Sequence, residues 1–303
     1  MRTGLAPTGF TRTGLTRTGL TRTGTTRATA PRRFQRIGPA PAAALLVIAL
    51  AGCTTAATAS VGEKKTIVVG VKADQPGLGL RARNGGFQGF EVDVGAYLAR
   101  RLGASRVTFK AVTSDDRERK LDDGTVDLVL ASYSITAERA QKVTFAGPYY
   151  VAHQDIMVRR ADQRIRGVRD LAGRRMCEAS GSVSSERVTK GLGIAATLVP
   201  APSYGACFQK LVAGEVDAVS TGDLVLAGFA ARARGSVRIT NTPFTDERYG
   251  IGLRRGDIDG CESVNKALTQ MYQDGTAARL LRKWFGASGL EVTESVPEYE
   301  GCA

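Results

Sequence analysis

At 303 residues the chain is long enough for two ordinary domains, and 42 Lys and Arg against 29 Asp and Glu give a net charge of +13. The excess is concentrated: residues 1–52 hold eight arginines and no acid, leaving 34 basic against 29 acidic residues beyond them, a balance that calls for no nucleic-acid partner. A single histidine, His153, and no Cys/His cluster at metal-ligand spacing exclude zinc fingers, His-based triads and most metallohydrolases, so no metal or other cofactor is expected.

Residues 1–31 are of low complexity. The unit Thr-Gly-Leu-Thr-Arg runs from Thr13 to Arg17 and again from Thr18 to Arg22, with a decayed copy ending at Arg27, and it offers too little apolar surface for a core. It reads as an overlong leader or a misplaced start, the other reading being a functional basic tail. Arg32, Arg33 and Arg36 then precede the apolar run Ala42–Leu50, too short to span a bilayer comfortably, and the small residues Ala51-Gly52 before Cys53. A basic segment, a short apolar run and small residues before a cut form a secretory signal. Leu50-Ala51-Gly52-Cys53 looks like a bacterial lipobox, in which Cys53 is lipidated and becomes the new N-terminus; the alternative is a plain signal peptide. Residues 1–52 are thus expected to be tail plus signal, and 53–63 a small, polar tether at the outer face of the membrane.

Beyond the tether, Lys65–Val71 is a continuous apolar strand, the pattern of a sheet buried on both faces. Val94, Leu98 and Leu102 recur at helical spacing over Phe90–Leu102, with Gly103 as the stop. Val107–Val112 is a second strand, Ser114 caps a helix ending near Gly124, and Val126–Ala131 is a third strand. This alternation predicts an α/β fold with a parallel sheet. Later segments repeat it: strands at Ile156–Val158, Arg175–Glu178, Thr197–Val199, Val216–Ser220 and Val237–Thr240, helices at Gly167–Gly173, Gly181–Leu192, Tyr204–Ala213 and Asp223–Ala233, and two closing helices at Cys261–Gln273 and Thr276–Phe285.

The stretch Ser114–Tyr150 carries the chemistry. Its strand runs into the hydroxyl-rich turn Ser132-Tyr133-Ser134-Ile135-Thr136, and Arg139 follows three residues later. Hydroxyls and a guanidinium fork at the carboxyl end of a buried strand make a receptor for a small carboxylate. Thr136 is placed to cap the next helix and bring its N–H groups to the same spot.

This stretch, with GFEVDV (Gly89–Val94), GSVSSE (Gly181–Glu186) and VDAVST (Val216–Thr221) in order, resembles the bacterial extracellular solute-binding proteins of the polar amino-acid family that serve ABC importers, and most of all their glutamate-binding members. The resemblance runs from about Lys65 to the C-terminus. It implies a periplasmic-binding-protein-like fold: two α/β lobes, a two-strand hinge and a cleft. The first lobe would comprise residues 64–152 plus 249–303 and the second 153–248. It also implies that Arg139 grips a ligand α-carboxylate, helped by Ser134 and the backbone at Ser132, while Ser182 and Val183 complete its shell from the second lobe. Arg117 and Lys72 fall where acidic-amino-acid binders carry cations for the distal carboxylate. Aspartate and glutamine are the alternative ligands. One departure stands out: Gly222 occupies the place where the family commonly has an ammonium-binding aspartate. Either Asp223 swings in, or Thr221 and carbonyls take the ammonium, or Asp223 only caps its helix. Tyr133, Tyr149 and Tyr150 are placed to wall the pocket or to pack the hinge, packing being the expectation for Tyr149 and Tyr150, and His153 is expected at the hinge or the surface.

With Cys53 assigned to lipid, four cysteines remain, and three pairings are possible. Cys177 with Cys207 and Cys261 with Cys302 keep each bond within one implied lobe; free buried thiols are the alternative. The expectation is a monomeric, lipid-anchored receptor that closes on a glutamate-like ligand and docks on an importer permease, not an enzyme. Its rivals are a dehydratase or lyase on the same fold, with Glu178 or Asp223 as the cleft carboxylate, and a ligand sensor for a membrane partner.

Overall fold

The computed structural model describes residues 59–290 and 295–302, which pack as one compact unit. The expected tail, signal segment and lipidated Cys53, with most of the tether, lie outside the described residues. Among the described residues no helix is long and apolar enough to cross a membrane.

The chain opens with strand β1 (Thr66–Val71), whose apolar run is buried as predicted, then a small antiparallel sheet of β2 (Asp74–Gln75), β3 (Gly79–Arg81) and β4 (Phe87–Gln88) that the sequence did not announce. Helix α1 (Phe90–Arg101) buries Val94 and Leu98 as its spacing requires. Strand β5 (Arg106–Ala111), helix α2 (Arg117–Asp122), strand β6 (Leu128–Leu130) and the short helix α3 (Ala137–Ala140) complete the first half. Strand β7 runs sixteen residues, Thr144–Arg159, where only its final apolar stretch was expected as strand. Then follow β8 (Arg175–Ala179), α4 (Ser184–Glu186) continued by a wider π-helical turn, β9 (Thr197–Ala201), α5 (Tyr204–Ala213), β10 (Ala218–Gly222), α6 (Asp223–Arg232) and β11 (Val237–Ile239). The last elements are β12 (Thr245–Leu253), α7 (Ile258–Gln273) and α8 (Thr276–Phe285). Helix α8 buries Ala277, Leu281 and Phe285, one stripe at four-residue spacing.

Two α/β lobes share one nine-stranded sheet among the described residues, ordered β5-β1-β6-β12-β7-β10-β8-β9, with β11 on β7. Strands β5, β1 and β6 are parallel, as are β10, β8 and β9. Between these groups lie β7 and β12, antiparallel to each other over most of their length, from Thr144–Leu253 to Gln154–Thr245. They are the two strands on which the chain passes between lobes. Cys177 is disulfide-bonded to Cys207, tying β8 to α5, and Cys261 to Cys302, tying α7 to the tail. Tyr149 and Tyr150 are buried where the strands cross, and the Tyr272 hydroxyl donates to the Tyr149 carbonyl at 2.8 Å.

Candidate functional site

The site is built at the carboxyl end of β6. Just beyond Ala131 the backbone turns through Ser132 at φ +43°, a left-handed conformation that few residues other than glycine adopt. Glu91 of α1 holds the turn: its Oε1 accepts the Ser132 N–H at 2.6 Å and the Tyr149 hydroxyl at 2.5 Å. Burial pushes the Glu91 carboxyl up in pKa. The Ser132 N–H is therefore not the free carboxylate donor expected of it, and its hydroxyl donates to Gln75 Oε1 at 3.1 Å.

Thr136 caps α3 through its hydroxyl, which accepts the Arg139 N–H at 3.2 Å. The cap sets the direction of the Arg139 side chain, which is 6 % exposed. Its guanidinium donates to the Ser134 carbonyl at 2.8 Å and to the Gly181 carbonyl of the other lobe at 3.0 Å. Arg117, 1 % exposed, donates to the Ala131 carbonyl at 3.3 Å; its Nε has no partner among the described residues. Both guanidinium carbons lie over the Tyr133 ring, at 3.7 Å for Arg117 and 5.2 Å for Arg139 from its centre. Burial first, then the Arg139 charge, holds Arg117 down to about 10; burial also lowers Arg139. Two buried guanidinium groups against one ring favour an anion between or beside them.

Lys72, 5 % exposed, donates to the Ser114 hydroxyl at 2.7 Å. Burial and the Arg117 charge hold its ammonium down to about 7. Ser114 is thus a hydrogen-bond acceptor for Lys72. It is not the predicted helix cap: α2 is preceded by Asp116, and Thr113 and Asp116 bond each other there.

From the second lobe come the residues after β8. Gly181 sits at φ +68°, and a Cβ on it would fall 2.5 Å from Asp115 Oδ1, so the lobes meet there as closely as glycine permits. The Ser182 and Tyr204 hydroxyls are 2.7 Å apart, and the Ser184 hydroxyl reaches Thr221 Oγ1 at 3.4 Å. The helix expected over Gly181–Leu192 begins only at Ser184, after Val183, because the preceding residues turn across the interlobe face.

A cavity of about 10 Å³ lies where these parts converge. Arg117, Ser132, Ser134 and Arg139 border it from one side, and Ser182, Val183 and Thr221 from the other. Lys72 is one step removed. It borders an adjoining cavity of about 360 Å³, and Ser114 and Tyr204 form walls of both. Asp223 is not on the small cavity's wall. Its carboxylate accepts the His153 N–H at 3.2 Å, the Leu224 N–H at 2.6 Å and the Tyr150 hydroxyl at 3.5 Å, and burial pushes it up to about 6. Glu178, the other carboxylate weighed for catalysis, accepts from Ser185 at 3.3 Å and does not border the cavity either. His153 pairs with Asp246 at 2.8 Å at the crossing strands.

Sequence reasoning missed Glu247 and Tyr249 of β12, which also border the cavity, together with Ser184 and Tyr204. Glu247 is 2 % exposed between two exposed neighbours, Asp246 and Arg248. The sequence alone does not mark it: Glu247 is one of three consecutive charged residues, and only the strand shows that it is the inward one, where a carboxylate is costly unless it serves something. Among the described residues no cluster could hold a metal ion.

The sequence profile of the bacterial extracellular solute-binding proteins, family 3, matches residues 67–287. The glutamate-binding protein GluB of Corynebacterium glutamicum is 37 % identical over 290 residues, 89 % of this chain and 97 % of its own. The glutamine-binding protein GlnH of Bacillus subtilis is 31 % identical over 75 % of this chain and 83 % of its own. A solved ancestral arginine-binding protein bound to arginine superposes with a TM-score of 0.68 at 34 % identity, covering 73 % of this chain and 99 % of its own. The relatives so matched are named as binding proteins for amino acids, and the solved one shares the fold found here. The chain belongs to the bacterial extracellular solute-binding proteins of family 3.

Proposed function

We propose that the protein captures an acidic amino acid, glutamate by preference, between its lobes and hands it to an ABC importer permease while tethered to the outer membrane face by lipid on Cys53. The observation that carries this reading is that Arg117 and Arg139, far apart in role by sequence, border one cavity and share the Tyr133 ring. A ligand with carboxylates at both ends would meet Arg139, Ser134, Ser182 and Val183 with its α-carboxylate. Its distal carboxylate would meet Arg117, with Lys72 reinforcing the field from behind Ser114. GluB, 37 % identical, is named for glutamate, which supports the choice among acidic ligands.

A cavity of about 10 Å³ holds roughly one water, so a glutamate enters only when the lobes part. In our reading residues 64–152 with 249–303 move against 153–248 about the crossing segments of β7 and β12. Ligand binding then shifts an open–closed equilibrium by its differential affinity for the two states, and no bond is made or broken. The test is calorimetric titration of ligand-free Thr54–Ala303, which retains the compact unit, with glutamate, aspartate and glutamine. Glutamate binding most tightly is the expected result; no binding of any of the three overturns the proposal.

A further inference from the structure

We infer that Glu247, not Asp223, is the residue that holds the α-ammonium of the bound amino acid. This rests on the reading that the ligand is an α-amino acid. Such a ligand brings a positive group on the same carbon as the carboxylate, and a desolvated ammonium needs an anion or several acceptors. Glu247 borders the cavity and is 2 % exposed. Its Oε1 accepts from Arg187 Nε at 3.1 Å and from the Thr245 hydroxyl at 3.4 Å. Its Oε2 is buried and has no partner among the described residues. A carboxylate oxygen kept from water with unused lone pairs, on the wall of a ligand cavity, is an acceptor waiting for a donor that arrives with the ligand.

Geometry supports the pairing with Arg139. The α-carboxylate and α-ammonium are separated by one carbon, so their partners must border the same small volume. Arg139 and Glu247 do, and the Glu247 charge is felt at Arg139. The residues that follow Thr221 cannot supply the anion. Residue 222 is glycine and carries no anion, and a Cβ there would lie 2.1 Å from the Tyr249 hydroxyl, so any side chain would have to displace Tyr249. Asp223, one residue later, spends both oxygens on Tyr150 and on the His153 and Leu224 N–H groups. Tyr249 and Glu247 lie two apart on β12 and so face the same side: the strand that fills the space at 222 also delivers the carboxylate.

The experiment is calorimetry on Thr54–Ala303 with L-glutamate, and by competition with glutarate, which lacks the ammonium. Glu247→Gln keeps the size of the side chain and an acceptor for Arg187. It is expected to weaken glutamate binding at least 30-fold and to shrink the preference for glutamate over glutarate at least tenfold, while Asp223→Asn stays within threefold of the parent. Circular dichroism checks that both variants fold. If Glu247→Gln does not fold, Glu247→Asp, which keeps the charge but withdraws it by one methylene, is expected to lose at least fivefold. The inference is overturned if Glu247→Gln, or failing it Glu247→Asp, binds glutamate within threefold of the parent, or if Asp223→Asn loses more. A parent that binds no amino acid sinks the receptor reading itself, whereas a parent that binds glutamate alongside an unaffected Glu247 variant sinks only this assignment.

Discussion

The Tyr249 hydroxyl stands 2.1 Å from where a Cβ on Gly222 would be, in the last residue of β10. Any side chain at 222 therefore has to displace Tyr249, which borders the cavity. Gly222→Ala is expected to force Tyr249 aside and to destabilise the fold by about 1–3 kcal/mol, the usual cost of overpacking. Urea unfolding with an unchanged slope checks this, and a cost below about 0.5 kcal/mol would show that the wall yields freely.

Lys72 imposes a pH dependence. Burial and Arg117 hold its folded pKa at about 7, below the ordinary 10.5. The unfolded chain then binds more protons across pH 7 to 10.5, so stability rises with pH over that window. Lys72→Met removes this slope and is expected to stabilise the protein at pH 7 by about 1–3 kcal/mol, as other buried charges do when replaced by apolar groups, while weakening glutamate binding. Unfolding free energies at pH 7 and 9 read the slope; parallel curves for the two proteins would count against a buried, charge-strained lysine.

Asp223 works in a lower window. Burial raises its folded pKa from 3.8 to about 6, so the folded state binds more protons between those values and the cost of its buried charge is relieved as pH falls from 6 towards 4. Asp223→Asn should flatten that part of the stability profile and raise stability at pH 7 by about 1–2 kcal/mol. Thermal unfolding at pH 4.5 and 7 measures the difference, and an identical gain at both values would rule out titration as the cause.

In the proposed function the two guanidinium groups divide the work on the ligand. Arg139→Ala removes the interlobe bond to the Gly181 carbonyl and, on that proposal, the fork on the α-carboxylate, so affinity for every amino acid is expected to fall at least 100-fold. Arg117→Met leaves the α-carboxylate partners intact and should lower glutamate affinity tenfold or more while sparing glutamine. A panel of calorimetric titrations separates the two patterns; an equal loss for glutamate and glutamine in Arg117→Met would remove it from side-chain recognition.

The Cys177–Cys207 bond closes 30 residues of chain between β8 and α5, and α5 opens with Tyr204, whose hydroxyl meets Ser182 at the cavity. Replacing both cysteines with alanine is expected to cost about 3–4 kcal/mol by the loop-closure argument and to weaken ligand binding through a looser Tyr204. Unfolding and calorimetry on the double variant test both parts. Unchanged affinity beside the lost stability would confine the bond to a purely structural role.

Much of this protein is legible in one dimension because the forces that set it are local. The apolar run of β1, the periodicity of α1 and the helical stretches Tyr204–Ala213 and Thr276–Phe285 depend on neighbours within a few residues, and each formed where its pattern placed it. Arg139 was marked by its place after the serine-rich turn for the same reason. What the residues alone left undecided was which lone pairs and protons face the cavity. Glu91 takes the Ser132 N–H from across the fold, Lys72 stands behind Ser114, and Asp223 turns towards Tyr150 and His153. Glu247 reaches the cavity because β12 pairs with β7 in a register that sets it opposite Ala152, 95 residues earlier in the chain. Such pairings are settled by which strands come together, and the composition and spacing of a single segment carry no trace of that choice.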